Sequence, residues 1–237
     1  MVSVDTVYQR VLALANKEQR GYITPQEFNL LANQAQMVIF DQYFYDLEKF
    51  DNDYGNETEY SDMVKTLNEK LSIFKKFDTA LVKNGSFFEY PADMYKLGTL
   101  YYAPTSLLED GVEIEEIYYD QLLDYYNSPL TKPNKSRPLY IRREEGIRII
   151  SASAINSGVL ATYVRKPDKV NWGYVITLGE PMYNASAAVD FELHPSEETL
   201  LVIKILEMAG ITLNKPGLSQ LAAQEENDMI AQQKIKQ

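Results

Sequence analysis

Residues 84–103 read NGSFFEYPADMYKLGTLYYA, and there the chain changes its period. Before them, apolar residues recur at helical spacing. Val4, Val7, Val11, Leu14 and Ala15 give a helix over 4–17 one apolar face. Phe28, Leu31, Ala35, Val38, Ile39, Tyr43 and Leu47 do the same for a helix from Gln26 to about Phe50. Met63, Val64, Leu67, Leu71, Phe74, Phe77 and Leu81 predict a third helix from about Tyr60 to Lys83, closed by Asn84-Gly85. After Ser86 the helical period is mostly lost. Short β-rich runs follow between turn residues: FFEY, LGTLYYA, EIEEIYY, PLYIRR, GIRIISA, GVLATYVRK and WGYVITLG. YDQLLDYYNSP interrupts them as a short helix, and KPNKSRP (132–138) reads as a loop. Helical signals return in HPSEETLLVIKILEMAG, with Pro195 and Ser196 at its start, acids in its first turn and Gly210 at its end. Residues 215–237 form a weaker, polar helical segment.

The order of these signals predicts an α+β chain. N- and C-terminal helices build a bundle, and an antiparallel β subdomain is inserted between them. The expected parts are residues 1–85 (helical), 86–191 (the β-rich insert) and 192–237 (helices completing the bundle, with a polar tail).

Composition bounds the function. The chain has 237 residues, is 45% hydrophobic and carries a net charge of −11, so it can bury a core and is repelled by phosphate backbones. With no cysteine it has no disulfide, thiol nucleophile or cysteine-held zinc, and it suits a reducing compartment. No signal peptide and no membrane-spanning run is read from the sequence. Tyrosine is abundant, at 18 residues, and suits interfaces as well as the rim of a core.

NKEQRGYITPQEF (16–28) imitates a calcium loop, with Gly21, Ile23 and Glu27 at positions 6, 8 and 12. The ligand positions are wrong, however. Arg20 places a guanidinium at position 5, where an oxygen is needed. Gly21 ending one helix, Thr24 capping the next, Pro25 in its first turn and Glu27 closing a capping box explain the same residues. The acidic stretch DNDYGNETEYSD (51–62) misses the register too and reads as a solvated loop. His194 is the only histidine, and a catalytic triad or histidine-rich metal site cannot be built from it. No nucleotide-binding glycine motif is present. Arg142, Arg143 and Arg148 form the best basic cluster, expected to pair with Glu144 and Glu145 or with a neighbouring subunit. Trp172 is expected to pack in the core or at a sheet edge rather than to serve as a ligand platform. The reading is therefore no enzyme, no catalytic residue, no cofactor and no metal site. A carboxylate hydrolase and a calcium-linked regulator are the chemical alternatives set aside.

Two stretches together carry a resemblance. FEYPADMYKLGTLYY (88–102) has an aromatic, Pro91, a small residue and Asp93 before a strand; GVLATYVRKPDKV (158–170) is a strand ending in an aromatic, a basic residue and Pro167. PLYIRREEGIRIISAS lies between them, and the set is framed by an opening helical pair and an apolar late helix. This order resembles the head-to-tail adaptor, or tail tubular, proteins of short-tailed bacteriophages and the ring proteins below the portal in crAss-like phages. The resemblance implies a structural virion protein that forms an oligomeric ring, usually a dodecamer, in the portal–tail connector. It binds the portal or an adjacent tail ring and extends the channel through which the encapsidated DNA passes. Its place would be the virion tail, assembled in the host cytoplasm, with no membrane partner. Pro91, Asp93 and Pro167 carry over as structural positions only. The alternative is a non-enzymatic module binding carbohydrate or protein on a helical scaffold.

Overall fold

A computed structural model describes residues 1–16, 23–52 and 58–212. The central part of the calcium-like loop (17–22), the middle of the acidic stretch (53–57) and the polar segment 213–237 lie outside the described residues. Contacts divide the rest into two compact units, one from 1–73 with 167–212 and one from 74–166.

The first unit holds the long helices: α1 (Val4–Asn16), α2 (Pro25–Asn52), α3 (Thr58–Ser72) and, late in the chain, α6 (Glu198–Thr212). Thr24 begins α2 as its local chemistry demands. The Glu27 carboxylate accepts from the Thr24 backbone N–H at 2.9 Å, and Thr24 Oγ1 accepts from the Glu27 N–H at 3.3 Å. The Thr24 hydrogen bonds also hold the Glu27 carboxyl below its usual value. His194 leads into α6 through a 3-10 turn, Pro195–Glu197, where its ring accepts from the Ser196 N–H. α6 packs on α1 and α2 and buries Leu201, Val202, Ile203, Ile205, Leu206 and Ala209. Its side chains are apolar nearly all round, as a helix enclosed on most sides requires.

The second unit is one sheet. Its strands are β1 (Lys75–Ala80), β2 (Lys83–Asn84), β3 (Phe87–Phe88), β4 (Met94–Tyr102), β5 (Val112–Glu116), β6 (Leu139–Arg143), β7 (Gly146–Ile150) and β8 (Val159–Arg165). They form an eight-stranded sheet in the order β1-β8-β4-β5-β6-β7-β3-β2. Two short helices, α4 (Leu107–Asp110) and α5 (Leu122–Asn127), lie in its connections.

This corrects the expected fold class of a helical bundle with an inserted antiparallel β subdomain. The dominant element is a large mixed sheet, and β5 and β6 run parallel. The physical reason is the connection between them. Residues 117–138, with a 3-10 turn and α5, carry the chain back before β6 starts, as any parallel pair requires. The crossover covers one face of the sheet there: Leu122 and Tyr125 pack on Ile117, Leu139, Ile141 and Ile150. Tyr140 points to the other face, into a core with Leu97, Leu100, Ile114, Ile147 and Tyr163. Hence three consecutive residues, Leu139, Tyr140 and Ile141, are all buried, as expected of a strand covered on both faces.

The third helix also ends earlier than its periodicity predicts. α3 stops at Ser72, and residues 75–80 are an edge strand paired with β8. A register shift between Lys76 and Thr79, with Asp78 at φ 51°, adds a bulge that destroys the alternation a strand would show.

Candidate functional site

In the first unit, β9 (Tyr174–Thr177) and β10 (Glu180–Tyr183) form a two-stranded antiparallel ribbon of their own. A free ribbon of this size is marginal in water, so its base must be held. The chain entering it, residues 168–172 with a β-bridge from Asn171 to Val189, is gripped by amide side chains of α2. Asn29 Oδ1 accepts from the Trp172 N–H at 2.7 Å. Asn33 accepts from the Val170 N–H at 2.9 Å and donates to the Val170 carbonyl at 2.8 Å. Gln36 donates to the Asp168 carbonyl at 2.8 Å and accepts from the Glu192 N–H at 3.2 Å, while the Glu192 carboxylate accepts from the Asp168 N–H at 2.8 Å. The match is one of pitch. Four helical residues rise about 6 Å, and two strand residues rise about 6.6 Å. Asn29 and Asn33 on the helix therefore meet Trp172 and Val170 on the extended segment, and Gln36 continues the series to Asp168.

Aromatic packing completes the anchor. Trp172 is buried, its Nε1–H donates to Asp5 Oδ1 at 3.0 Å, and its ring lies 4.3 Å from that of Tyr8. Tyr174 and Tyr183, opposite each other at the root of the ribbon, lie 5.9 and 5.7 Å from the same indole. Gly173 fits under the returning chain because a Cβ there would stand 2.6 Å from the Ala187 carbonyl carbon.

Beyond that root the ribbon leaves the core. Val175 pairs across with Met182, and Ile176, on the opposite face, with Pro181. Val175, Ile176 and Met182 are all exposed, Ile176 at 68%. The two-residue turn is Leu178-Gly179, with φ of 55° and 87°. Both angles are positive, the combination of a type I′ turn, which favours Asn-Gly or Gly-Gly. Leu178 adopts it with its side chain fully exposed.

The second unit shows where the other singled-out residues lie. Pro91 and Asp93 form the turn into β4, where the Pro91 carbonyl accepts from the Met94 N–H at 3.0 Å. The Asp93 carboxylate takes Lys76 Nζ at 2.7 Å and the Tyr163 hydroxyl at 3.0 Å, joining β1, β8 and this turn. The Lys76 hydrogen bond holds the Asp93 carboxyl below its usual value, and the same bond raises the Lys76 ammonium. Pro167 is buried in the first unit. Arg142 does not meet Glu144 or Glu145, which sit exposed in the β6–β7 turn. It pairs with Glu116 on the parallel neighbour β5, at 2.7 Å, and the Tyr140 hydroxyl donates to the same carboxylate at 2.9 Å. Arg143 stacks over Phe87 and Tyr119 at 6.0 and 5.4 Å. Arg148 is exposed.

The amides of α2 were not singled out from sequence. Their only signal is Asn29, Asn33 and Gln36 at i, i+4 and i+7, which solvent-facing residues show equally. No metal-holding group of three or more histidine, cysteine or acidic side chains occurs among the described residues. No helix among them is long and apolar enough to cross a membrane. No family model matches the chain, and no curated protein sequence matches it.

Proposed function

We propose that this chain is a structural virion protein that acts by assembly, as a ring in the portal–tail connector of a short-tailed or crAss-like phage. One observation carries the assembly part: among the described residues, two short segments leave many large apolar side chains exposed. The ribbon supplies Val175, Ile176, Leu178 and Met182. The β5–β6 crossover supplies Tyr118, Tyr119, Leu123, Tyr126 and Leu130, the last 90% exposed. Large apolar side chains left exposed in such numbers on short segments suit contact with another macromolecule. The resemblance of residues 88–102 and 158–170 supplies the connector, and the net charge of −11 suits a channel that must let DNA slide. The binding-module reading loses its best platform, because Trp172 is enclosed by Tyr8, Tyr174 and Tyr183.

The test is co-sedimentation of the full chain with the portal oligomer of the same genome, followed by imaging. A closed ring on the portal, or on an adjacent tail ring, is the expected result. A chain that stays monomeric and joins no virion protein overturns the reading.

A further inference from the structure

We infer that the β9–β10 ribbon is the element by which one copy of this chain docks on the next copy, with Leu178 as its leading side chain. The inference rests on the ring reading above and assigns it a contact. Three independent features converge on the ribbon.

The first is the turn. A branched apolar residue at positive φ is strained, and the strain is relieved by glycine or asparagine. Leu178 gains nothing inside its own chain for that strain, since its side chain is fully exposed. A socket on another molecule accounts for both facts.

The second is the strand edge. Sheet edges invite pairing unless they are blunted. β1 is blunted by Lys75, Lys76 and a bulge, β2 is two residues long and carries Lys83, and β10 carries Pro181, which lacks an N–H. β9 reads YVIT, with no charge, no proline and no bulge, and no described strand pairs with its outer edge. It is the open edge left without such protection among the described strands.

The third is charge, and it selects the occupant. Two copies that each carry −11 repel through most of their surfaces. Residues 172–183 contain a single charge, Glu180, and so form a surface where like-charged copies meet at little electrostatic cost. A basic partner would be better met by the acidic surface than by this neutral finger. One projecting element meeting a different surface on the next copy is a heterologous contact, the type that closes rings.

The experiment uses the full chain, alone and with the portal oligomer, read by native mass spectrometry and imaging. Leu178→Asn creates Asn-Gly, the favoured pair for this turn, so the variant folds at least as well. Its Tm is expected to be equal or higher while copy-to-copy association falls tenfold or more; Ile176→Lys is expected to abolish rings at an unchanged Tm. The chain has no cysteine, so Leu178→Cys carrying a thiol-linked photocrosslinker reports the neighbour directly. A ladder of covalently joined copies is expected. Wild-type rings that survive both substitutions, or crosslinks only to the portal chain, overturn the ribbon contact and leave the ring reading intact. A wild-type chain that never forms a ring overturns both.

Discussion

Removing the Asn33 side chain should loosen the base of the ribbon by a calculable amount. Asn33 satisfies both backbone groups of Val170, 137 residues away in sequence. In Asn33→Ala the Val170 N–H and carbonyl both lose their partner at a part-buried position. Each such loss costs about 1–2 kcal/mol. Alanine returns about 0.6 kcal/mol through its better helix propensity. The third bond of Asn33, to the Asn29 carbonyl, carries no penalty, because that oxygen remains in the helical ladder. The expected net loss is about 2–3 kcal/mol by this arithmetic. In a chain of this size that lowers Tm by roughly 5–10 °C. Trp172, the only tryptophan, lies two residues away and reports the transition by fluorescence. Amide exchange at Val170 and Trp172 reads the same event locally. Asn33→Asp separates the donor from the acceptor. It keeps an oxygen for the Val170 N–H but turns another toward two carbonyls, so at neutral pH it should cost more than alanine. The crowded carboxylate takes up a proton more readily in the folded state, so the penalty is full above its folded pKa. It shrinks as pH falls through that value. An Asn33→Ala variant within about 0.5 kcal/mol of wild type, the range of an ordinary surface change, would refute the amide grip.

Two further outcomes follow from the sheet. Asp93 is held below its ordinary value of 3.8 by Lys76, so its contribution is fully present above that value and is lost as pH falls through the lowered one. Asp93→Asn should therefore lower Tm at neutral pH by a small amount, the pair being part-exposed, and the gap should close in acid; a gap that widens in acid contradicts the assignment. At Gly98 a Cβ would stand 2.8 Å from the Thr162 carbonyl oxygen on the paired strand β8. Gly98→Ala is expected to cost about 1–3 kcal/mol by overpacking, measured by urea unfolding, and an unchanged midpoint would show that β4 and β8 lie further apart.

What could be read from sequence was what neighbours in sequence decide. Thr24, Pro25 and Glu27 announce the start of α2 within four residues, and His194 with Pro195 announces the turn before α6. The strands β4 to β8 were legible as β-rich runs for the same reason. The parallel pairing of β5 with β6 was not, since no residue in either strand records the direction of its partner; the crossover decides it. β1 was hidden because its bulge at Asp78 left Phe74, Phe77 and Leu81 at helical spacing. The candidate site was only half visible. WGYVITLG reads as a strand and turn, but whether Val175 and Ile176 face a core or solvent depends on what covers the ribbon. The grip of Asn29, Asn33 and Gln36 joins segments more than 130 residues apart, beyond any local pattern.

Among the described residues, Asp78 and Leu178 are the two non-glycine residues at positive φ, and they differ in kind. Asp78, at 51°, is of a type that tolerates the left-handed region, and it sits in a bulge that blunts an edge strand. Its conformation has a use inside its own unit. Leu178, at 55°, closes the hairpin turn, but it is not of a type that favours this region, and its side chain is fully exposed. Trp172, Tyr174 and Tyr183 hold the root of the ribbon, and the isolated chain would be served as well or better by Asn-Gly at the tip. On the proposed assembly, the compensation for this exposed exception would lie outside the monomer. The apolar side chains on both faces of the ribbon lead to the same conclusion, because a ribbon resting on its own core needs only one. On the proposed assembly, the ribbon would be half of an interface whose other half the next copy carries.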